Sequence, residues 1–562
     1  MDDFEQAIKY LLKAEVKTLA DLDSAKRKIA KRFKTAIPSN VNLLKAYHNL
    51  IKNKRIKRDK NLEYLLIKRK VRSLSGIINV SILTKPYACP GKCIYCPSQK
   101  EIPKSYLEKE PAVQRAILTN FDPYLQIQTR LDSLKATGHP TDKIELRIIG
   151  GTWSFYPRQY QRWFINQCFS ACNRKVKSQK LKVKNLEKEQ KRNEKAKQRI
   201  IGITIETRPD FIDIEEIKRL RELGVTRVEL GVQSIYNDVL KLNKRGHLIK
   251  ETIRATKLLK DAGFKVSYQI MPNLPGSSFK KDVEMFKELF SNPDFQPDLL
   301  KIYPLDLVKQ TSLYKWYKQR KFTRLQPKRR KRPINAKNIS LIGFKPYPKE
   351  KLIKLLIEIK KQIPYYVRIE RIIRDIPSED IIAGGVKTSN LREIVQKKVN
   401  CKCIRCREIK QNYNPEEKLY LFKQEYEASK GKEIFLSFEN KKRNNLYALL
   451  RLRIPGYGED WPLDILPVLK DSAIIREIHT YGQMLPLTEK RRGRAPAGKP
   501  GVSFSAAQHK GLGKKLIKEA EKIAKKDFGL KKIAVISGIG VRDYYRHLGY
   551  KLKDTYLVKL LI

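Results

Sequence analysis

The sharpest constraint in this chain of 562 residues is one short loop, Cys89-Pro-Gly-Lys-Cys93-Ile-Tyr-Cys96. It follows Ile77–Leu83, a β-branched run that reads as a strand. Three thiols carried on one loop at a strand end must converge on a common inorganic centre. Three thiolates can hold three irons of a 4Fe–4S cluster and leave the fourth iron open. A structural zinc ion would want a fourth Cys or His nearby, and the loop contains none. The spacing therefore favours a cluster with an open iron, suited to ligating and reducing a small molecule.

The other cysteines, of 8 in all, fall in two groups. Cys168 and Cys172 share one face of a helical run and read as buried structural thiols. Cys401, Cys403 and Cys406 form a second tight triplet, which reads as metal ligands in a chain with no secretory signal. Such a chain is expected to be soluble, intracellular and cytoplasmic. No apolar run approaches the ~18–20 residues a membrane span needs, so no membrane partner is expected.

Strands alternate with helices from Ile77 to Tyr303: Ile144–Ile149, Ile200–Ile205, Arg227–Leu230, Lys265–Gln269 and Leu299–Tyr303, with helices such as Ile214–Leu223 and Lys250–Ala262 between them. That order predicts an α/β domain with a parallel sheet, open or barrel-like. Residues 1–74 are helical in pattern and dense in basic residues, as at Lys26-Arg27-Lys28 and Lys31-Arg32. Residues 75–345 hold the strand–helix repeat, 346–410 form a connector ending in the second cysteine triplet, and 411–562 begin β-rich and end with a helix between strands. Two basic insertions stand out, Arg324–Lys337 and Lys490–Lys499. The formal charge of +61, from 120 Lys and Arg against 59 Asp and Glu, calls for a polyanionic partner. A general lysine-rich bias of the surface is the rival account.

Further motifs follow the cysteine loop in order. Gly150-Gly151-Thr152 closes one strand, Glu206-Thr-Arg208 ends another, and Gly231-Val-Gln233-Ser234 ends a third. Strand C-termini are where ligands sit in such sheets. Near the other end, Gln508-His-Lys510-Gly511-Leu512-Gly513-Lys514 opens a helix, and a glycine turn there offers N–H groups to a pyrophosphate. Tyr544-Tyr545 comes after the next strand.

The cysteine spacing and the strand-end motifs resemble radical S-adenosylmethionine (SAM) enzymes. The glycine turn with its late tyrosines resembles GNAT-type acetyltransferases. One chain joining the two is similar to the catalytic subunit of Elongator, in its prokaryotic form. Leu300-Lys-Ile-Tyr-Pro304, Arg374-Asp-Ile-Pro377, Cys403-Ile-Arg-Cys406 and Arg476-Glu-Ile-His-Thr480 carry the same likeness. It implies a radical SAM partial (β/α) barrel, a GNAT-type α/β domain, and a basic N-terminal segment that binds tRNA.

The implied reaction installs a carboxymethyl group at carbon 5 of the wobble uridine, with the tRNA anticodon stem-loop as partner. A SAM-derived radical would take hydrogen from the methyl group of acetyl-CoA, and the carbon radical would add to uridine. The resemblance places Cys89, Cys93 and Cys96 on the 4Fe–4S cluster, and Tyr95, Gly150, Gly151, Thr152, Glu206, Arg208 and Gln233 around SAM. Glu477, Ile478, His479, Thr480, Gln508, Lys510, Gly511, Leu512, Gly513, Lys514 and Tyr545 would line acetyl-CoA. Lys143 is linked to the same ligand, and Tyr544 and Tyr545 stand near its thioester. Lys301 lines the radical cavity or is simply a paired charge. Cys401, Cys403 and Cys406 then read as zinc ligands, with His479 as a candidate fourth. A protein lysine acetyltransferase with a structural cluster is the alternative enzyme, although a structural cluster needs no SAM pocket. An RNA-binding scaffold with degenerate domains is disfavoured by the intact cysteine loop and glycine turn. Accessory subunits, oligomeric state and tRNA identity are not implied.

Overall fold

The computed structural model describes residues 3–67, 75–174, 185–325, 345–384, 390–410, 414, 416–456, 466–482 and 511–561. Helices Asp3–Lys13, Leu19–Phe33, Asn40–Lys52 and Lys60–Leu66 bury Ile8, Leu22, Leu43, Tyr47 and Leu66 in a core of their own. The Pro38-Ser39-Asn40 break is a helix start, with the Ser39 hydroxyl accepting from Asn42 N at 3.2 Å.

The strand–helix repeat forms β1 (Ile77–Leu83), β2 (Lys143–Ile149), β3 (Arg199–Thr207), β4 (Arg227–Gln233), β5 (Lys265–Ile270) and β6 (Leu299–Ile302). After β7 (Leu307–Val308) the chain supplies β8 (Arg368–Arg371) from segment 346–410, then β9 (Ile381–Ala383). The first sheet runs β1-β2-β3-β4-β5-β6-β8, parallel throughout, and curls into a half-barrel. Its outer face packs apolar residues such as Ile144, Leu146 and Ile148 against helices that include Arg158–Asn173, where Cys168 and Cys172 are buried. The polar insertion after that helix contains a further helix, Leu186–Asn193.

Strands β10 (Tyr420–Ala428), β11 (Gly431–Glu439), β12 (Leu446–Ile454), β13 (Ser472–Thr480), β14 (Lys532–Val535), β15 (Lys551–Lys553) and β16 (Tyr556–Leu560) make a second sheet, ordered β10-β11-β12-β13-β14-β16-β15. Only the β13–β14 pair is parallel; the helix Leu512–Lys526 provides the crossover between them and packs on β12 and β13. This domain docks on the N-terminal ends of the half-barrel strands. The approach is backbone to backbone at Gly538, where a Cβ would stand 1.9 Å from the Ile201 carbonyl oxygen. The cysteine loop follows the C-terminal end of β1, so the two candidate sites occupy opposite ends of one barrel. Among the described residues, no helix is long and apolar enough to cross a membrane.

Candidate active site

The cysteine loop is shaped around its sulfurs. A Cβ on Gly91 would meet Arg208 Nη1 at 2.8 Å and the Cys89 and Cys93 Sγ atoms at 3.5 and 3.6 Å. Arg245 Nη1 donates to Cys93 Sγ at 3.5 Å. Arg208 clamps Asp210 through Nε and Nη2, at 2.9 and 2.7 Å, and leaves Nη1 buried without a partner beside the loop. Burial pushes the Cys96 thiol up to about 12, so an electrophilic centre is needed to keep it ionised. The three sulfurs are not drawn into one set within 4.8 Å, whereas those of Cys401, Cys403 and Cys406 are. Thiols on separate irons stand wider apart than thiols on a single ion, so donor chemistry and cationic surroundings fit a 4Fe–4S cluster. Tyr95 packs with Ile94, Val239 and Leu274 below the loop, its buried hydroxyl beside Cys93.

The strand ends beside this loop form a backbone cradle. Gly150 and Gly151 have φ of +135° and +106°. Thr152 is buried and starts the turn Trp153–Phe155. Gln233 ends β4 at φ +70° with Oε1 buried and without a hydrogen-bond partner among the described residues. An unsatisfied buried amide oxygen at a strand end is the mark of a ligand-facing group.

Inside the half-barrel the lining is ionic. Glu206 accepts from Tyr106 Oη (2.9 Å), Gln269 Nε2 (3.2 Å) and Lys301 Nζ (3.4 Å). Lys301 also pairs with Glu229; Glu229 meets Arg147 at 3.3 Å, and Arg147 pairs with Glu370. Arg227 joins Glu370 (3.1 Å) to Glu145 (2.8 Å). Burial lifts the Glu206 carboxyl, Lys301 opposes that, and Glu229 adds to it. Burial alone would lower the Lys301 ammonium, but Glu229, Tyr303 and Glu206 outweigh it and hold the charge. Lys301 is therefore a buried cation paired with Glu206 and Glu229. Arg374 lies over the Tyr106 ring, 5.8 Å from its centroid.

At the far end the network reaches β13. Glu477 meets Lys265 at 3.3 Å and Arg451 at 2.8 Å, and His479 packs on Tyr481, ring centroids 4.2 Å apart. Ile478 and Thr480 face the opposite way: a Cβ on Gly513 would lie 3.6 Å from Ile478 Cδ1, 3.9 Å from Thr480 Oγ1 and 3.0 Å from Tyr544 Oη. Gly511, at φ +74°, begins the helix Leu512–Lys526, and a Cβ there would meet none of the described residues within 4 Å. The structure thus gathers Gly511, Gly513, Ile478, Thr480 and Tyr544 at a helix N-terminus, a ready anion site. Lys514 is exposed in the first turn, Leu512 is buried beneath it, and Tyr545 is buried with its ring edge against Tyr544, centroids 5.2 Å apart. Gln508 and Lys510 lie outside the described residues, as do Lys490–Lys499 and all of Arg324–Lys337 beyond the helix Ser312–Leu325. Lys143 starts β2 on its lumen-facing side, at the end where the second domain docks.

Cys401, Cys403 and Cys406 close on one another next to β8, with Ile404 N donating to Val367 O at 2.9 Å. Hydrogen bonds from Cys401 and Cys406 draw the Cys403 thiol well below the thiol range. Such a set fits one zinc ion. His479 is not brought into it.

Sequence reading missed Arg147, Glu229, Glu370, Arg227, Glu145 and Arg245. For Glu145, Arg147, Arg227 and Glu229 the signal was present: parallel strands buried on both faces read as continuous apolar runs, yet β2 is Lys-Ile-Glu-Leu-Arg-Ile-Ile and β4 Arg-Val-Glu-Leu-Gly-Val-Gln; Glu370 and Arg245 had none. Charge on alternate residues marks a polar lumen.

A cysteine loop before a strand-end glycine cradle, on a curled parallel sheet, defines a radical SAM protein. The Radical SAM superfamily model matches residues 83–289, and a Radical_SAM C-terminal domain matches 342–400. The chain is 45% identical over 514 residues to the tRNA uridine(34) acetyltransferase of Methanocaldococcus infernus, covering 88% of each chain. It is 34% identical to Elongator complex protein 3 of Homo sapiens, covering 87% of this chain and 85% of that one. The solved structure of the archaeal Methanocaldococcus infernus Elp3 with an N-terminus deletion (1–46) superposes with a TM-score of 0.67 at 42% identity, covering 87% of this chain and all of that one. The chain belongs to the tRNA uridine(34) acetyltransferase and Elongator complex protein 3 family of radical SAM enzymes.

Proposed function

We propose that this protein installs a carboxymethyl group at carbon 5 of the wobble uridine of tRNA, with acetyl-CoA as carbon source and SAM as radical source. The observation that carries this reading is β13. Glu477 and His479 face the ionic lumen that runs to the cysteine loop, while Ile478 and Thr480 face the glycine turn and Tyr544. One strand is the shared wall of two sites, as a reaction joining an acyl donor to radical chemistry needs. The relatives' printed names add the substrate, uridine 34 of tRNA.

In this reading Cys89, Cys93 and Cys96 would hold a 4Fe–4S cluster, which would supply one-electron reduction of SAM. The amides of Gly150 and Gly151 receive the amino acid end of SAM, Gln233 Oε1 accepts from it, and Glu206 holds its ribose. Lys301, Tyr106 and Gln269 fix that carboxylate in place. The N–H groups of the Leu512–Lys526 first turn take the pyrophosphate of acetyl-CoA. The Tyr544 phenol, raised slightly by partial desolvation and protonated at neutral pH like any tyrosine, would donate to the departing thiolate. Residues 1–74 bind tRNA, 75–345 form the radical domain, 346–410 form the connector that lends β8 to that domain's sheet and holds zinc on Cys401, Cys403 and Cys406, and 411–562 form the GNAT-type domain.

The test is mass spectrometry of wobble nucleosides after anaerobic reaction with SAM, acetyl-CoA, reductant and tRNA. Carboxymethyluridine is expected; unmodified uridine alongside proven SAM cleavage would sink the proposal. Acetylated protein lysines formed without any tRNA requirement would favour the acetyltransferase alternative.

A further inference from the structure

An open depression of about 690 Å³ lies against the outer wall of the cysteine loop, lined by Pro90, Lys92, Lys241, Lys244, His247 and Lys250. Pro90 and Lys92 belong to the loop itself. The four lysines are exposed. Two carboxylates also line it: Asp210 accepts from Arg208, and Glu251 accepts from Leu248 N at 2.8 Å and lies 3.8 Å from Lys250, which leaves Lys92, Lys241 and Lys244 as the surplus charge. The depression therefore presents concentrated positive charge. Its wall is thin, since Arg245, between Lys244 and Gly246 in sequence, touches Cys93 Sγ. A Cβ on Gly246 would stand 3.0 Å from Arg208 Nη2, and Arg208 in turn reaches the loop at Gly91.

This surface matches a need of the proposed reaction, on which the inference rests. Each SAM cleaved consumes one electron at the cluster. Among the described residues the other three-sulfur set is a single-ion site, of the kind that suits redox-inert zinc. The electron must come from outside and cross the shortest wall. We propose that the depression is the docking surface for an acidic, low-potential one-electron carrier protein of the flavodoxin class. The carrier gives up one electron and the oxidised cluster takes it, with no bond made or broken. RNA phosphates would also bind four lysines, but the substrate base must enter the lumen beside Glu206, and Glu206 is not among the residues that line this depression.

The experiment compares the anaerobically reconstituted wild type with Lys241→Glu/Lys250→Glu, two exposed lysines of which Lys250 has only the loose contact with Glu251 at 3.8 Å. Reduced flavodoxin is the protein donor and the methyl viologen radical cation the small one. Flavodoxin affinity and its cluster-reduction rate should fall about ten- to a hundredfold at low salt, the scale on which complementary charge acts, and the difference should vanish at high salt. Reduction by methyl viologen and affinity for tRNA should hold. Unchanged flavodoxin binding overturns the proposal, and so does a loss of tRNA affinity with flavodoxin binding intact, which would assign the lysines to RNA. A wild type that assembles no cluster fails at the earlier reading of the cysteine loop, and flavodoxin affinity, which needs no turnover, separates the two failures.

Discussion

At Gly150 the backbone lies at φ +135°, and a Cβ would stand 2.0 Å from Thr84 Oγ1; at Gly151 the nearest atom, Lys104 O, is 3.4 Å away. Gly150→Ala carries about 1–3 kcal/mol of backbone strain before the clash with Thr84 is counted. We expect it to lower both thermal stability and SAM affinity, with Gly151→Ala the milder of the two, as calorimetric titration and melting would show. His479 offers a pH test. Burial lowers its pKa to about 4, below the usual 6.5, with Glu477 only partly opposing. The unfolded chain therefore takes up the proton first: the stability of the neutral ring is present above pH 6.5 and lost as pH falls towards 4. The full effect is about 3 kcal/mol. The stability difference between wild type and His479→Gln should vary with pH across that window, and a difference independent of pH in urea unfolding would refute the assignment. Lysine, arginine and glutamate identities were legible at this scale, but not their partners, because an ion pair is a statement about two strands at once.

Single elements show the same division. The strand Ile77–Leu83 and the helices from 214 and 250 stand within a residue or two of their sequence reading, because local apolar periodicity and glycine stops determine them. The seventh strand, β8, was hidden in the connector: four residues, Arg-Ile-Glu-Arg, carry too little pattern to announce a strand. It forms because Leu299 and Leu300 offer a free parallel edge. The loop 401–406 packs directly against it. Removing its metal with a chelator should lower Tm by several degrees, at about 2–4 °C per kcal/mol for a domain of 150–250 residues. Metal analysis should show one zinc per chain, lost in Cys403→Ser. Full zinc in that variant would count against the site.

The two domains are joined through buried charge. Asp298, which precedes β6, pairs with Arg476 of β13, and Arg476 meets Glu433 at 2.8 Å. Arg453 meets Asp261 at 2.6 Å, and Lys260 lies 3.5 Å from Glu433. All six side chains are buried. Burial would raise Asp298, but Arg476, Lys260 and Arg451 hold it far below the carboxylate range. Asp298→Asn leaves Arg476 and Lys260 to share the single carboxylate of Glu433, at a cost of up to about 3–5 kcal/mol. Urea unfolding followed by separate probes in each domain should then split into two transitions; a single unchanged transition would mean the domains are held by apolar contacts instead.

The sequence alone determined the cysteine loop, the glycine turns and the order of strands and helices, because these depend on residues close in the chain and on covalent spacing. Its +61 charge likewise called for a polyanion without saying where one binds. Tertiary structure decided what these parts do together. The curl of the sheet turned alternate charges on β2, β4 and β6 into one ionic lumen. Docking on the opposite strand ends then made β13 a wall between two sites. Both depend on the packing of residues hundreds of positions apart, where a buried charge is tolerable only once its partner has arrived.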